Sequence, residues 1–88
     1  MNFTGKAILC ETWEQMEHLA KIAEGMGITA QPDQYNEDNF VAGARYFALY
    51  TQKTYCNAGD VEPNETETTF TQFINQSDTP SVYGSKTK

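Results

Sequence analysis

The sequence is poor in the residues that build metal centres, disulfide scaffolds and nucleic-acid-binding surfaces. Its 88 residues include two cysteines, one histidine and six basic residues against 12 acidic ones. Cys10 and Cys56 stand at no metal-ligand spacing, and two thiols are too few for a disulfide framework. The net charge of −6 repels a polyanion, so direct nucleic-acid binding is not expected. We therefore expect neither a metal nor a cofactor.

Long apolar runs are also absent. No run approaches the 18 residues that a membrane-spanning helix needs. The apolar stretch nearest the start, Ala7-Ile8-Leu9-Cys10, is too short for the core of a signal peptide. The sequence therefore predicts a cytoplasmic protein that makes no membrane contact.

Aromatic residues, by contrast, are plentiful. Five Tyr, five Phe and one Trp make up 12% of the chain, which favours a packed core over disorder. The length predicts a single domain over residues 1–76. Residues 77–88 are mostly Ser, Thr, Pro, Gly and Lys with one Val-Tyr pair. We predict that they form a flexible C-terminal tail, or a strand supplied to a partner.

Two helices are marked by their starts. Thr12 and Gln15 have the spacing of a capping box, and apolar residues then recur at helical spacing, which predicts an amphipathic helix over residues 13–25. Gly25 and Gly27 are candidate terminators of that helix. The run Thr69-Phe70-Thr71-Gln72-Phe73-Ile74 repeats the capping pattern and predicts a short C-terminal helix near residues 70–75.

The remaining patterns predict a small sheet. Residues 6–10 are typical of a central strand, residues 44–50 and 54–57 of an aromatic hairpin, and residues 65–69 of an edge strand. Residues 28–39 are predicted to be a mostly irregular connection with one short extended piece at most. The resulting fold class is α+β, with a three- to four-stranded, mostly antiparallel sheet, one amphipathic helix on one face and a short C-terminal helix. The predicted core consists of Ile8, Leu9, Trp13, Met16, Leu19, Ile22, Ala23, Phe47, Leu49, Phe70, Phe73 and Ile74.

Residues with catalytic potential are few. His18 is the only histidine, and no motif supplies it with a nucleophile and an orienting acid. Nothing near Cys10 or Cys56 in the sequence is expected to stabilise a thiolate. We predict that the protein is not an enzyme.

Tyrosines and carboxylates are the better candidates for function. Tyr46, Tyr50 and Tyr55 lie on the predicted hairpin, where a helix can cover only one side of the sheet, and exposed tyrosines suit protein recognition. Asp60, Glu62, Glu65 and Glu67 form an acidic connection that can meet a basic patch. The alternatives are that the acids serve solubility and that the rings cover the second face of the sheet, with or without a dimer mate.

Two motifs carry a resemblance to a class of proteins. Thr12-Trp13-Glu14-Gln15 resembles the Thr-x-Glu-Glu-Trp helix start of small phage-encoded domains, and residues 69–74 resemble their closing Ser-Phe-x-Glu-Phe-Leu motif. The resemblance implies a phage accessory protein, a class that includes inhibitors of host enzymes and of host defence, acting in the cytoplasm of the bacterial host. The expected function is thus binding and inhibition of a host protein, such as one of an anti-phage defence system, through the seven tyrosine and acidic residues. The alternative is an oligomer that binds or sequesters a nucleotide or another small ligand.

Overall fold

A computed structural model describes residues 2–77, which form five strands and three helices around one sheet. In chain order they are β1 (Lys6–Leu9), α1 (Trp13–Gly25), β2 (Thr29–Ala30), α2 (Glu37–Val41), β3 (Tyr46–Thr51), β4 (Thr54–Ala58), β5 (Thr66–Thr69) and α3 (Phe70–Ser77). The predicted α+β class is confirmed, with five strands in place of three or four. The predicted tail lies outside the described residues from residue 78 onward.

The sheet is mixed, with its antiparallel pairs in the centre. The strand order is β2-β4-β3-β1-β5. Strand β3 pairs antiparallel with β4 and with β1, whereas the edge strands β2 and β5 run parallel to β4 and β1. The hairpin and both of its strands are therefore as predicted, but the prediction of a mostly antiparallel sheet is wrong, because two of the four strand pairings are parallel.

The two crossover connections cover opposite faces of the sheet. The connection from β1 to β2 contains α1 and runs along the sheet in one direction, whereas the connection from β4 to β5, residues 59–65, runs in the other. Because crossovers between parallel strands are right-handed, connections that run in opposite directions lie on opposite faces. We call the side under α1 the helix face and the side crossed by residues 59–65 the open face.

The helix face holds the core. Ile8, Phe47 and Tyr55 point to it and cluster with Met16 and Leu19 of α1. The Phe47 ring lies 5.4 Å from Phe3, 6.3 Å from Tyr35 and 5.0 Å from Tyr55, centroid to centroid. The predicted core members that are buried are Ile8, Met16, Leu19, Ala23, Phe47 and Phe73, and those packed against the core but partly buried are Trp13, Ile22, Leu49, Phe70 and Ile74. Leu9 is the exception, because it alternates onto the open face and is only half-buried.

The capping interactions of α1 and α3 confirm both predicted helix starts. Gln15 N–H donates to Thr12 Oγ1 at 3.2 Å. At α3 the exchange is reciprocal, since Gln72 N–H donates to Thr69 Oγ1 at 3.1 Å and Thr69 N–H donates to Gln72 Oε1 at 3.2 Å. Gly27 ends α1 with a φ of 87°, a conformation that glycine adopts without strain.

The prediction that residues 28–39 are mostly irregular is wrong at its C-terminal end. Asn36 caps α2 through its side chain, which accepts from Asn39 N–H at 2.8 Å. Phe40 then enters the core, where its ring lies 5.7 Å from Trp13. A five-residue helix has too few turns to show apolar periodicity, so the pattern did not reveal it.

A buried asparagine holds α2 against the sheet. Asn57 on β4 is 6% exposed. Its amide donates to the carbonyls of Asn36 and Ala44 at 2.9 and 3.1 Å, and its Oδ1 accepts from Asn36 N–H at 3.1 Å. All the polar atoms of this side chain are thus bonded to the two ends of the segment that carries α2.

The described helices are all too short or too polar to cross a membrane. None of the helices within residues 2–77 is both long and apolar enough for such a span.

Candidate functional site

The open face carries small residues between two tyrosines. Tyr46, Ala48 and Tyr50 alternate along β3, and the β3–β4 register places Cys56 beside Ala48 and Ala58 beside Tyr46. Ala48 is 3% exposed and Tyr50 is 54% exposed. The middle of this face is therefore a shallow floor of small side chains with a solvent-exposed ring at one end.

Tyr46 and Glu67 are joined across the sheet. The Tyr46 hydroxyl donates to Glu67 Oε2 at 3.0 Å, although β1 lies between their strands. That hydrogen bond raises the pKa of Tyr46, with smaller contributions from desolvation and from the charges of Glu67 and Asp60. The side chain of Tyr46 thus lies along the open face with two carboxylates near its hydroxyl group.

The connection over residues 59–65 contains a turn that holds one carboxylate, that of Glu65, in place. Glu62 N–H donates to Glu65 Oε1 at 2.8 Å, and Glu65 N–H donates to the Glu62 carbonyl at 2.9 Å. Glu65 is half-buried. Burial and the Glu65 charge, in that order, raise the pKa of the Cys56 thiol, which locates this carboxylate near the floor of the open face.

A hollow of about 350 Å³ lies between this connection and the floor. Its lining includes Ala48, Tyr50, Cys56, Ala58, Glu62 and Glu65. The floor residues were not among the predicted site residues. Their signal in the sequence is the alternation Tyr-Ala-Tyr at positions 46, 48 and 50, which is typical of a strand with one partly open face.

Basic residues of the described chain lie elsewhere. Residues 1–76 contain eleven acidic and four basic residues. The Lys6 ammonium lies 5.9 Å from the Phe73 ring and the Arg45 guanidinium 4.8 Å from the Phe40 ring, both on the side of the helices. Lys21 is on α1 and Lys53 is in the turn between β3 and β4. The open face is therefore more acidic than the average of the domain.

Six of the seven predicted binding residues lie on the open face or on the connection that crosses it, namely Tyr46, Tyr50, Asp60, Glu62, Glu65 and Glu67. Tyr55 does not, and its prediction as an exposed anchor is wrong. It is 1% exposed, and its hydroxyl donates to Glu24 Oε2 on α1 at 2.8 Å. The reason is register, because Tyr55 pairs with Leu49, whose side chain points to the helix face.

Of the three residues with catalytic potential, Cys56 lines the hollow, whereas Cys10 and His18 lie elsewhere. Burial raises the pKa of the Cys10 thiol to about 12, and Cys10 lies in the core under α1. His18 is exposed on α1, with its ring 5.6 Å from Phe70. Among residues 2–77 no group of three or more His, Cys, Asp or Glu side chains could hold a metal ion.

The sheet edges offer little backbone for an added strand. Thr66 N–H donates to the Gly5 carbonyl, which precedes β1. Because successive residues of a strand direct their backbone groups to opposite sides, those of Glu67 and Thr69 face away from β1 at the free edge of β5. The Thr69 N–H is already bonded to Gln72. At the other edge, β2 has only two residues. Because both edges are short and partly satisfied, the open face is the larger candidate surface for a partner.

Comparison with known proteins adds no family assignment, since no family model, no curated protein and no solved structure matches the chain.

Proposed function

We propose that this protein is a small, non-catalytic inhibitor of the phage-encoded type that binds a host protein through the open face of its sheet. The observation that supports the proposal is the composition of that face. Tyr46, Tyr50 and four carboxylates share it, no helix of the described chain covers it, and the described basic residues lie elsewhere.

Acidic and aromatic groups have different tasks in such a contact. The carboxylates of Asp60, Glu62, Glu65 and Glu67 attract a basic patch over a distance and speed the encounter. Tyr50, which is half exposed, buries its ring after contact and slows dissociation. Tyr46 is held in place by Glu67, so little side-chain entropy is lost when it is covered.

Binding without catalysis is favoured by the state of the nucleophiles. Both thiols are buried and have raised pKa values, so neither supplies a thiolate near neutral pH. His18 has Phe70 as its ring neighbour, which is a packing contact rather than an acid–base partner. The inhibitor therefore acts by occupying its partner's surface.

A nucleotide-binding oligomer, the alternative that the sequence left open, is less well supported. A phosphate group is held by cations or by backbone N–H groups at a helix start. The hollow is lined instead by Glu62 and Glu65, which repel phosphate. The same carboxylates oppose pairing of two open faces in a dimer.

The test is capture of the partner from a bacterial lysate, followed by binding kinetics and by an assay of the captured protein's own activity. The four carboxylates of the open face are neutralised together, as D60N, E62Q, E65Q and E67Q. The matched control neutralises four exposed carboxylates on α1 and α2, as E14Q, E17Q, E37Q and D38N.

We expect the first variant to associate about tenfold or more slowly at low salt, and the control to associate nearly as fast as the wild type. Association of the wild type should slow as ionic strength rises past about 0.15 M, where screening shortens to about 8 Å. Tyr50→Ala should mainly speed dissociation. If the association rate changes neither with salt nor with the four neutralisations, the carboxylates contribute to solubility and not to binding.

A further inference from the structure

We infer that the hollow under residues 59–65 accepts an arginine side chain of the bound protein. The inference rests on the proposed function and names the group that the open face recognises. It follows from the shape of the hollow, from its uncompensated charge and from the ring at its margin.

The hollow has room for a side-chain head group. Its volume of about 350 Å³ corresponds to roughly twelve water molecules at about 30 Å³ each. The floor is formed by Ala48, Cys56 and Ala58, whose short side chains leave the space unfilled. Cys56 is 9% exposed, and its thiol makes no hydrogen bond within residues 2–77. The lining thus includes a weak hydrogen-bonding group, the Cys56 thiol, that residues 2–77 leave without a partner.

The charge of the hollow has no internal counter-ion. Glu65 is half-buried, and one of its carboxylate oxygens is bonded to Glu62 N–H. Neither carboxylate forms an ion pair with a residue of the described chain. A partly desolvated carboxylate gains most from a cation that brings several hydrogen-bond donors with it.

Arginine fits these features better than lysine. Its planar guanidinium has five donors in a fixed fork, which can serve Glu62 and Glu65 together, and its face can stack on the Tyr50 ring. A lysine ammonium is compact and strongly hydrated, so it keeps more of its water in a hollow that is open to solvent. A second copy of this chain would bring its own acidic open face and is disfavoured by charge.

The experiment is an NMR titration of the full chain, labelled with ¹⁵N, at low salt. The probes are two capped peptides of equal charge, hexa-arginine and hexa-lysine. We expect hexa-arginine to bind at least threefold more tightly, with the largest amide shifts at Ala48, Tyr50, Cys56 and Ala58. E65Q should bring the ratio of the two affinities close to one.

A matched control separates the hollow from the general charge of the face. The double variant D60N and E67Q removes two carboxylates that do not line the hollow. It should weaken both peptides by a similar factor and leave their ratio unchanged. A change of ratio in this variant, or an unchanged ratio in E65Q, would overturn the assignment to the hollow.

The remaining outcomes distinguish this inference from the proposed function. Equal affinities, with shifts on the open face for both peptides, would refute the preference for arginine and leave the acidic binding face in place. Shifts confined to α1 and α2, or no binding by either peptide, would refute both.

Discussion

Asn57→Ala tests whether one buried side chain holds α2 on the sheet. The substitution removes three hydrogen bonds, two to Asn36 and one to Ala44. It leaves the main chain intact, including the bond from Asn57 N–H to the Gln34 carbonyl. The groups left behind are one N–H and two carbonyls in a part-buried region, where water replaces the lost partners incompletely.

The expected loss is large for a domain of this size. Each hydrogen bond contributes about 0.5–1.5 kcal/mol net, and groups that remain unsatisfied add to the cost. We expect Asn57→Ala to lower the free energy of unfolding by about 2–4 kcal/mol. That is a substantial part of the ~5–15 kcal/mol that small domains have in total. At ~4–8 °C for each kcal/mol, the melting temperature should fall by more than about 8 °C.

Urea unfolding followed by Trp13 fluorescence measures the effect. The Trp13 ring contacts Tyr35 and Phe40 on either side of the Asn36 cap, so its emission reports on this region. Asn64→Ala is the matched control, because Asn64 is exposed in the connection between β4 and β5, and it should cost less than about 0.5 kcal/mol.

Asn57→Asp sharpens the test. It keeps the shape and one acceptor but turns an oxygen towards the carbonyls of Asn36 and Ala44, so it should be at least as harmful as Asn57→Ala. If both variants of Asn57 unfold within about 0.5 kcal/mol of Asn64→Ala, the hydrogen bonds do not hold α2 and the reasoning is refuted.

Three further predictions concern the core, the end of α1 and alkaline pH. Phe47→Ala should lower the free energy of unfolding by about 3–5 kcal/mol and Trp13→Ala by about 2–3 kcal/mol. The reason is that Phe47 is fully buried whereas Trp13 is only partly buried. Urea midpoints that reverse this order would contradict the core assignment. Gly25→Ala should stabilise the protein by up to about 1 kcal/mol, whereas Gly27→Ala should destabilise it by about 1–2 kcal/mol. Both sites have space for a methyl group, but only Gly27 has a positive φ. Melting temperatures that move in the same direction in both variants would refute this. Burial raises the pKa of the Cys10 thiol from 9.0 to about 12, so the folded chain keeps a proton that the unfolded chain loses, and stability is full below pH 9 and falls as pH rises towards 12. The Cys10 share of the free energy of unfolding should drop by about 1 kcal/mol between pH 7 and pH 9.5. Cys10→Ala should reduce the slope by that share, and the slope that remains belongs to Cys56 and the buried tyrosines, whose pKa values are also raised.

The helices with capping signals could be predicted because their information is local. Thr12 and Gln15 lie within one turn, as do Thr69 and Gln72, and each pair forms its predicted bond. The short helix α2 could not be predicted. Its cap depends on Asn36, which is itself held by Asn57, 21 residues away in the chain, and such a contact leaves no periodic pattern.

The side on which each tyrosine lies could be predicted only in part. Tyr46 and Tyr50 are four residues apart on one strand, so they must share a face. Tyr55 is on the next strand, and its face depends on the register across the turn. The pairing is irregular between Leu49 and Thr51, and a shift of one residue moves a side chain to the other face.

The sequence patterns also did not predict the parallel pairing of β5 with β1 or the burial of Phe3. Strand β5 is Thr66–Thr69, a stretch with almost no apolar alternation. Its pairing is fixed from outside, by β1 on one side and by α3, whose Phe73 ring stacks on Phe3 at 5.0 Å. Contacts between the two ends of a chain cannot be derived from local propensity.

The position of the acidic residues follows from the length of the connection that carries them. Residues 59–65 must pass from β4 to β5 over three strand spacings, which is about 14 Å across the sheet. They must also return along the strands by about 13–17 Å, so the end of β4 and the start of β5 are about 20 Å apart. Eight Cα–Cα steps reach at most about 26–29 Å when fully extended, and the turn closed by Glu65 N–H and the Glu62 carbonyl uses part of that length. The connection therefore has little slack and lies across the open face in a restricted set of paths. The fold thus restricts the backbone that carries these carboxylates, and in the proposed contact this lowers the entropy cost of binding. A helix in the same place would also cover Tyr50, whereas the short crossover closes the fold and leaves the Tyr50 ring exposed.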